Sequence, residues 1–183
     1  MDIAWRRVSS DTVIKDRWID VRADRCVTAQ GTEVSPYYVL TYPDWVNVVA
    51  LTPQRDLLLV RQYRHAVEQA VLELPGGMME ADDVDPEQSA RRELMEETGY
   101  VSERWLRIAT LFPNPATHTN RVHSFLALDA VPRHGQRLDD GEEGLTVSSM
   151  PLDAALDALC TGLLGQAMHV AALTMAARLI DKA

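Results

Sequence analysis

The length of 183 residues fits one domain, or one domain with a small appendage, and 46% apolar residues are enough for a hydrophobic core. The net charge of −9 argues against non-specific binding to nucleic acid or to a membrane surface, and no apolar run approaches the roughly 20 residues that span a bilayer. The amino terminus lacks the apolar stretch of a signal peptide, and Cys26 and Cys160 lie too far apart for a metal-binding motif. We therefore expect a cytoplasmic protein with reduced thiols.

The first half of the chain has the composition of strands. β-Branched and aromatic residues are frequent between residues 12 and 52, with a turn at Gly31. Two further strands are predicted at 56–64 and 71–77, and the second ends in a Pro-Gly-Gly break.

A helix is predicted in the middle of the chain. Pro86 suits its first turn, Asp85 suits the N-cap, and Gly99 suits the position beyond its last turn. Ala90 and Leu94 lie one turn apart and should face the interior.

The second half alternates between strands and helices. Strands are predicted at 106–115, 122–131 and 145–151, and the chain is helical from 151 onward with a break at Gly162 and Gly165. The pattern as a whole predicts an α+β or mixed fold with the charged helix in the middle.

The central helix carries three glutamates within five residues. Helical spacing places Glu93 and Glu97 on one face, with Glu96 beside them. Such a group of carboxylates is a suitable site for Mg²⁺, which prefers oxygen ligands and often also binds a phosphate of the substrate. The alternative for this stretch alone is a solvated acidic face paired with Arg91 and Arg92.

The stretch from Gly77 to Tyr100 resembles the Nudix box, G-x5-E-x7-R-E-U-x-E-E-x-G-U, in which U is a bulky apolar residue. In this chain it reads Gly77-x5-Asp83-x8-Arg92-Glu93-Leu94-x-Glu96-Glu97-x-Gly99-Tyr100. Asp83 stands where the family has Glu, and one extra residue precedes Arg92, but both departures fall in a loop. The order of predicted elements also resembles the Nudix fold, an α/β/α sandwich, here with a small N-terminal antiparallel sheet.

The resemblance implies hydrolysis of a pyrophosphate that links a nucleoside to a group X, with Mg²⁺ or Mn²⁺ as the cofactor. It implies metal ligation by Glu93, Glu96, Glu97 and the backbone carbonyl of Gly76. Catalytic roles are implied for Glu96 and Glu97, and for Arg92, which would orient the carboxylates through charge-assisted hydrogen bonds.

The segment "RQYRHAVEQAVLELPGG" resembles the one that precedes the box in ADP-ribose pyrophosphatases and related nucleotide-sugar hydrolases. This implies substrate contacts for Arg64 and Met78, although Arg64 would also suit a surface position at the end of a strand. Trp18 and Tyr37 are candidates to stack on the base, with core packing as the alternative for each.

The resemblance also divides the chain into two parts. Residues 1–45 would form the N-terminal sheet and pair across a homodimer, and residues 46–183 would form the Nudix hydrolase domain. The expected partner is a small-molecule nucleotide, without nucleic acid or membrane.

A separate carboxylate is expected to take the proton from the attacking water, because the helix glutamates are committed to cations. In the branch that the chain resembles, a glutamate on a loop before the last strand has this role. Counting back from Pro151 indicates Glu143, with Glu142 as the alternative, and a solvated acidic loop is equally compatible. Glu96 remains the candidate if neither serves.

Three other functions fit the same motif. The substrate would be GDP-mannose in the first and a dinucleoside polyphosphate or a capped RNA end in the second. The third is a nucleotide-sensing Nudix module without catalysis. The acidic net charge weighs against RNA, and the presence of the box glutamates weighs against the sensor.

Overall fold

The computed structural model describes residues 3–180, and the chain forms two compact units. The first unit comprises the chain up to Pro43 together with Phe112–Arg121. The second comprises Asp44–Leu111 and the chain from Val122 onward. A segment from the middle of the sequence thus belongs with the N-terminal strands.

The first unit contains a three-stranded antiparallel sheet in the order β1-β2-β3. Its strands are β1 (Arg6–Lys15), β2 (Asp20–Val27) and β3 (Glu33–Leu40). β1 begins earlier than the sequence pattern indicates. All ten of its residues are exposed, so no alternation of apolar and polar positions marks its start.

The described residues of the second unit form two three-stranded sheets and one short ladder. The first sheet has the order β4-β9-β8, with β4 parallel to β9 and β8 antiparallel to it, and consists of β4 (Trp45–Ala50), β8 (Arg104–Leu111) and β9 (Val122–Leu128). The second is antiparallel in the order β11-β5-β6, from β5 (Asp56–Arg64), β6 (Gln69–Glu73) and β11 (Thr146–Pro151). The short ladder joins β7 (Tyr100–Val101) to β10 (Val131–Pro132).

Helices cover both faces of the β4-β9-β8 sheet. The described residues form α1 (Pro86–Thr98), α2 (Leu152–Ala158) and α3 (Ala167–Ile180). Ala90 and Leu94 of α1 are fully buried against one face, where they join Val48. Leu173 of α3 packs with Val49 on the opposite face. This arrangement is the predicted α/β/α sandwich, and the inward direction of Ala90 and Leu94 is confirmed.

The ends of α1 are those that the sequence predicts. The Asp85 side chain accepts a hydrogen bond from the Gln88 N–H at 2.9 Å, as an N-cap does. Gly99 adopts φ 74° and its N–H donates to the Met95 carbonyl at 2.8 Å. A side chain on Gly99 would overlap the His134 carbonyl oxygen, so both its conformation and its surroundings favour glycine. In the part of the chain that the structure covers, no helix is long and apolar enough to cross a bilayer.

Candidate active site

Three carboxylates converge beside the sandwich. Glu93 and Glu97 lie on the buried side of α1, with only 7% and 2% of their surface exposed. Glu142 comes from the loop before β11, and one carboxylate oxygen from each of these three residues lies within 4.8 Å of the others. Glu96 is turned further toward solvent, with a quarter of its side chain exposed. The structure thus brings two of the predicted metal ligands together and adds a carboxylate from a distant loop.

The Pro-Gly-Gly turn fits closely between β4 and α1. The Val48 N–H donates to the Pro75 carbonyl at 2.8 Å, and the Gly76 N–H donates to Oε2 of Glu97 at 2.8 Å. A Cβ on Gly77 would lie 2.6 Å from Oε1 of Glu93. A side chain at this position would have to displace the Glu93 carboxylate. The turn places the backbone of Gly76 against the Glu97 carboxylate, next to the cluster.

Arg92 connects the helix to the loop that precedes it. Its Nη1 donates to Glu93 at 2.9 Å and to Glu96 at 3.1 Å. Its Nη2 donates to Oδ2 of Asp83 at 3.1 Å and to the Met78 carbonyl at 3.0 Å. The planar guanidinium serves these acceptors together, and its role in orienting the carboxylates stays a prediction.

Asp83, the departure from the family pattern, takes part in this network. Its side chain is only 5% exposed and also accepts from the Glu80 N–H at 2.8 Å. Burial by itself would raise the pKa of Asp83, but the hydrogen bonds from Arg92 and the Glu80 N–H hold it below its ordinary value. The aspartate in place of the family's glutamate, and the additional residue before Arg92, are therefore compatible with a loop that closes around Arg92.

The donor set fits a divalent cation. Burial, together with the neighbouring carboxylates, raises the pKa of Glu93 to about 7 and that of Glu97 to about 8. Clustered oxygen donors with this need for positive charge suit Mg²⁺ or Mn²⁺. Glu93 and Glu97 are the residues of this cluster that would hold such an ion, with the Glu142 carboxylate beside it.

These pKa values predict a coupling between pH and cation binding. Without a cation, the folded protein holds protons on Glu93 and Glu97 that the unfolded chain has lost, so stability falls as the pH rises from about 4.5 toward 8. Cations compete with these protons, so added Mg²⁺ should raise Tm more at about pH 8.5 than at about pH 6. Thermal melts with Mg²⁺ and with EDTA at both pH values measure this, and equal shifts would contradict it.

The loop that carries Glu142 is held in place by its own cap and by β5. The Asp139 N–H donates to Oε2 of Glu142 at 3.0 Å, and the Asp139 side chain caps the same short turn. The Gln62 side chain donates to the Gly141 carbonyl at 3.3 Å. Glu143, which the sequence places first as the base, is exposed. The geometry favours Glu142, and the choice between the two stays a prediction.

Arg64 is engaged by a buried acid. Its Nε and Nη2 donate to Oε2 of Glu73 at 3.0 and 2.6 Å, and Glu73 is only 2% exposed. Sequence reasoning missed Glu73, although a lone glutamate in the apolar run "AVLEL" is a signal of a buried ion pair. The contact of Arg64 with substrate stays a prediction.

The other predicted substrate residues belong to different units. Met78 lies in the second unit, where its backbone forms an isolated antiparallel β-bridge with Trp45. About half of its surface is exposed. Trp18 and Tyr37 lie in the first unit. The Arg17 guanidinium lies 4.3 Å from the centre of the exposed Trp18 ring, and the Tyr37 hydroxyl donates to the Ala116 carbonyl. Their roles toward a nucleobase also stay predictions.

Comparisons with known proteins find matches to both parts of the chain. A family described as the NUDIX domain matches residues 41–165, and one described as the nucleoside diphosphate sugar hydrolase N-terminal domain matches residues 5–40. The chain is 28% identical over 151 residues to an ADP-ribose pyrophosphatase of Bacillus subtilis, covering 82% of this chain and 80% of that protein. It is also 28% identical over 124 residues to a GDP-mannose pyrophosphatase of Cronobacter sakazakii, covering 64% of each.

A solved structure described as an ADP compounds hydrolase has the same fold. Its TM-score is 0.86, with 21% sequence identity, and the match covers 100% of this chain and 97% of the other. The NUDIX match extends over well over half of the chain and includes the whole stretch from Gly77 to Tyr100. This chain therefore belongs to the Nudix family.

Proposed function

We propose that this protein hydrolyses the pyrophosphate bond of a nucleoside diphosphate linked to X, with ADP-ribose or another nucleotide sugar as the substrate. The products are a nucleoside monophosphate and a phosphorylated X. The observation that carries the proposal is the cluster of Glu93, Glu97 and Glu142 beside the Gly76 turn. The ADP-ribose and GDP-mannose pyrophosphatases among the relatives support this substrate class.

The side chains at the site have separable tasks. Glu93, Glu96 and Glu97 would hold Mg²⁺ or Mn²⁺, together with the Gly76 carbonyl. When bound, such a cation neutralises pyrophosphate oxygens and lowers the pKa of a water molecule. Arg92 fixes the Glu93 and Glu96 carboxylates through its two hydrogen bonds. Arg64 and Met78 would contact the substrate beside them.

A carboxylate of the loop before β11 would accept the proton of the attacking water. Position in the chain supports Glu143, and proximity to Glu93 and Glu97 supports Glu142. On the geometry, Glu142→Gln should lower kcat by roughly 10²-fold with little change in KM, because the proton acceptor is lost and binding is not. Glu143→Gln is the matched control and should have much less effect. The reverse ranking would assign the role of base to Glu143. Equal and mild effects of both substitutions would leave Glu96 as the candidate base.

Residues 1–45 are proposed to form a homodimer, and residues 46–183 to form the hydrolase domain. The support is the surface of β1, where every residue is exposed, including Val8, Val13 and Ile14. Apolar side chains on an open strand are typical of a surface that another chain covers. A monomer in sedimentation equilibrium at micromolar concentration would contradict the dimer.

The proposed location is the cytoplasm. Cys26 is a buried free thiol and Cys160 is an exposed free thiol, as expected in a reducing compartment. A protein recovered from cells with oxidised cysteines would argue against it.

A substrate panel tests the activity. ADP-ribose, GDP-mannose, UDP-glucose and diadenosine polyphosphates are each incubated with Mg²⁺ and with Mn²⁺, and kcat/KM is measured. We expect turnover of ADP-ribose or another nucleotide sugar to be fastest. GDP-mannose is the second candidate because of the Cronobacter relative. Tight nucleotide binding without turnover under either metal would instead indicate a sensor.

A further inference from the structure

The C-terminal helix contributes a side chain to the turn that carries Gly76. The Leu74 N–H donates to Nδ1 of His169, at 3.2 Å, although the two residues are 95 positions apart. Both are buried, with 1% of Leu74 and 6% of His169 exposed. Leu74 lies just beyond β6, whose pairing with β5 ends at Glu73, so His169 takes the place of a strand partner for this amide.

The neighbouring groups of the same turn are fixed from other directions. The Glu73 side chain binds Arg64, the Pro75 carbonyl accepts from the Val48 N–H, and the Gly76 N–H binds Glu97. A Cβ on Gly76 would overlap the Val46 carbonyl oxygen, so the turn lies directly against the backbone of β4. Residues 73–76 thus each contact a different element, in the order β5, α3, β4 and α1.

His169 has the protonation state that this contact needs. Burial lowers the pKa of His169 to about 3, and the positive charge of Arg64 adds to the effect. The imidazole is therefore neutral at the pH of any ordinary assay. Because Nδ1 accepts the hydrogen bond from Leu74, the proton of the ring is on Nε2.

We propose that His169 is a positioning residue of the catalytic site, acting through the Leu74 amide to fix the Gly76 turn against Glu97. This inference rests on the proposed function, because that function gives the Gly76 turn its role in metal binding. Through this contact, α3 takes part in the active site. This helix begins at Ala167, after the end of the NUDIX match at residue 165. Groups that orient ligands from behind are commonly needed for metal affinity.

Two substitutions at His169 separate positioning from the filling of space. In His169→Asn, Oδ1 can take the place of Nδ1 and accept from Leu74. In His169→Gln, the side chain is closer in size to histidine, but its oxygen lies where Nε2 was. If His169 only fills space, glutamine should replace it better than asparagine. If the hydrogen bond to Leu74 matters, asparagine should replace it better than glutamine. Leu173→Ala is the control, because Leu173 is fully buried on the same helix, and its truncation lowers Tm without removing the Leu74 contact.

The readouts are the Kd for Mn²⁺ by electron paramagnetic resonance, hydrogen exchange at the Leu74 amide, and kcat and KM. We expect His169→Gln to weaken Mn²⁺ binding by about 10-fold or more and to lower kcat with little change in KM. It should also speed exchange at Leu74. His169→Asn and Leu173→Ala should keep Mn²⁺ affinity close to that of the wild type.

Wild-type Mn²⁺ affinity in the folded Gln variant would overturn the proposal. Equal weakening in Leu173→Ala would also overturn it, because general destabilisation would then explain the loss. If the Gln variant does not fold, the Asn variant decides, since the proposal requires it to bind Mn²⁺ normally. A wild-type protein that binds no Mn²⁺ would overturn the proposed function, and exchange at Leu74 in the Asn and Gln variants would still decide whether His169 holds the turn.

Discussion

Replacing Glu97 with glutamine should lower kcat by about 10²–10⁴-fold, on the scale of losing a group that stabilises the transition state. Glu97 is 2% exposed, accepts from the Gly76 N–H and lies within the carboxylate cluster. Glutamine keeps the size and can still accept from Gly76, but it lacks the charge that a cation requires. Steady-state kinetics with saturating Mg²⁺ measure the loss.

Stability distinguishes this loss from unfolding. Burial raises the pKa of Glu97 to about 8, so its ionised form is disfavoured in the folded protein without a cation. The glutamine variant should therefore melt at the same temperature as the wild type or higher in EDTA, and Mg²⁺ should raise its Tm less. Glu87→Gln, at a half-buried position of α1 that pairs with Arg91, is the control and should keep its activity. Near-wild-type kcat in Glu97→Gln would remove Glu97 from the site.

Replacing Arg92 with alanine should lower kcat by about 10²–10³-fold, since displaced catalytic groups lose most of their effect. Its guanidinium binds Glu93, Glu96 and Asp83, so its removal leaves three carboxylates without their shared positive partner. Removing the arginine leaves these partly buried carboxylates without their ion-pair partner, so Tm in EDTA should also fall.

Two matched variants test the geometry of this arginine. Arg92→Lys keeps the charge but not the fork of donors, and it should recover stability more than activity. Arg91→Ala removes the neighbouring arginine, which binds Glu87 and stacks on Trp105, and it should leave kcat nearly unchanged. Equal losses from Arg91→Ala and Arg92→Ala would show that a general charge effect, rather than orientation of the cluster, is responsible.

Local chemistry accounts for the parts of the fold that the sequence predicts well. The helix α1 is bounded by Asp85 and Gly99, whose preferences for these positions depend on their own backbone and side-chain geometry. The direction of Ala90 and Leu94 follows from helical periodicity. The glutamates of the box share a face for the same reason, so the metal-binding half of the site is visible in a few consecutive residues.

Contacts between distant segments account for what the sequence does not reveal. The start of β1 has no periodic signal because both of its faces are exposed. Glu142 and Glu143 are adjacent and equally acidic, and only the path of the loop directs Glu142 toward Glu93 and Glu97. The pairs Arg64–Glu73 and Leu74–His169 depend on which strand and which helix lie side by side. A lone histidine in an apolar helix gives no indication of its partner.

Phosphorus NMR of the reaction mixture tests whether this protein cleaves the diphosphate of a nucleotide sugar with a divalent cation. The wild-type protein and the Glu97→Gln variant are each incubated with a nucleotide sugar, with Mg²⁺ and separately with EDTA. In the wild type with Mg²⁺, we expect the diphosphate signals to be replaced by two monophosphate signals, from the nucleoside monophosphate and the sugar phosphate. We expect no change in EDTA and almost none in the variant. Intact diphosphate signals across the whole panel with Mg²⁺ and with Mn²⁺, or equal conversion in EDTA, would contradict metal-dependent hydrolysis by this protein.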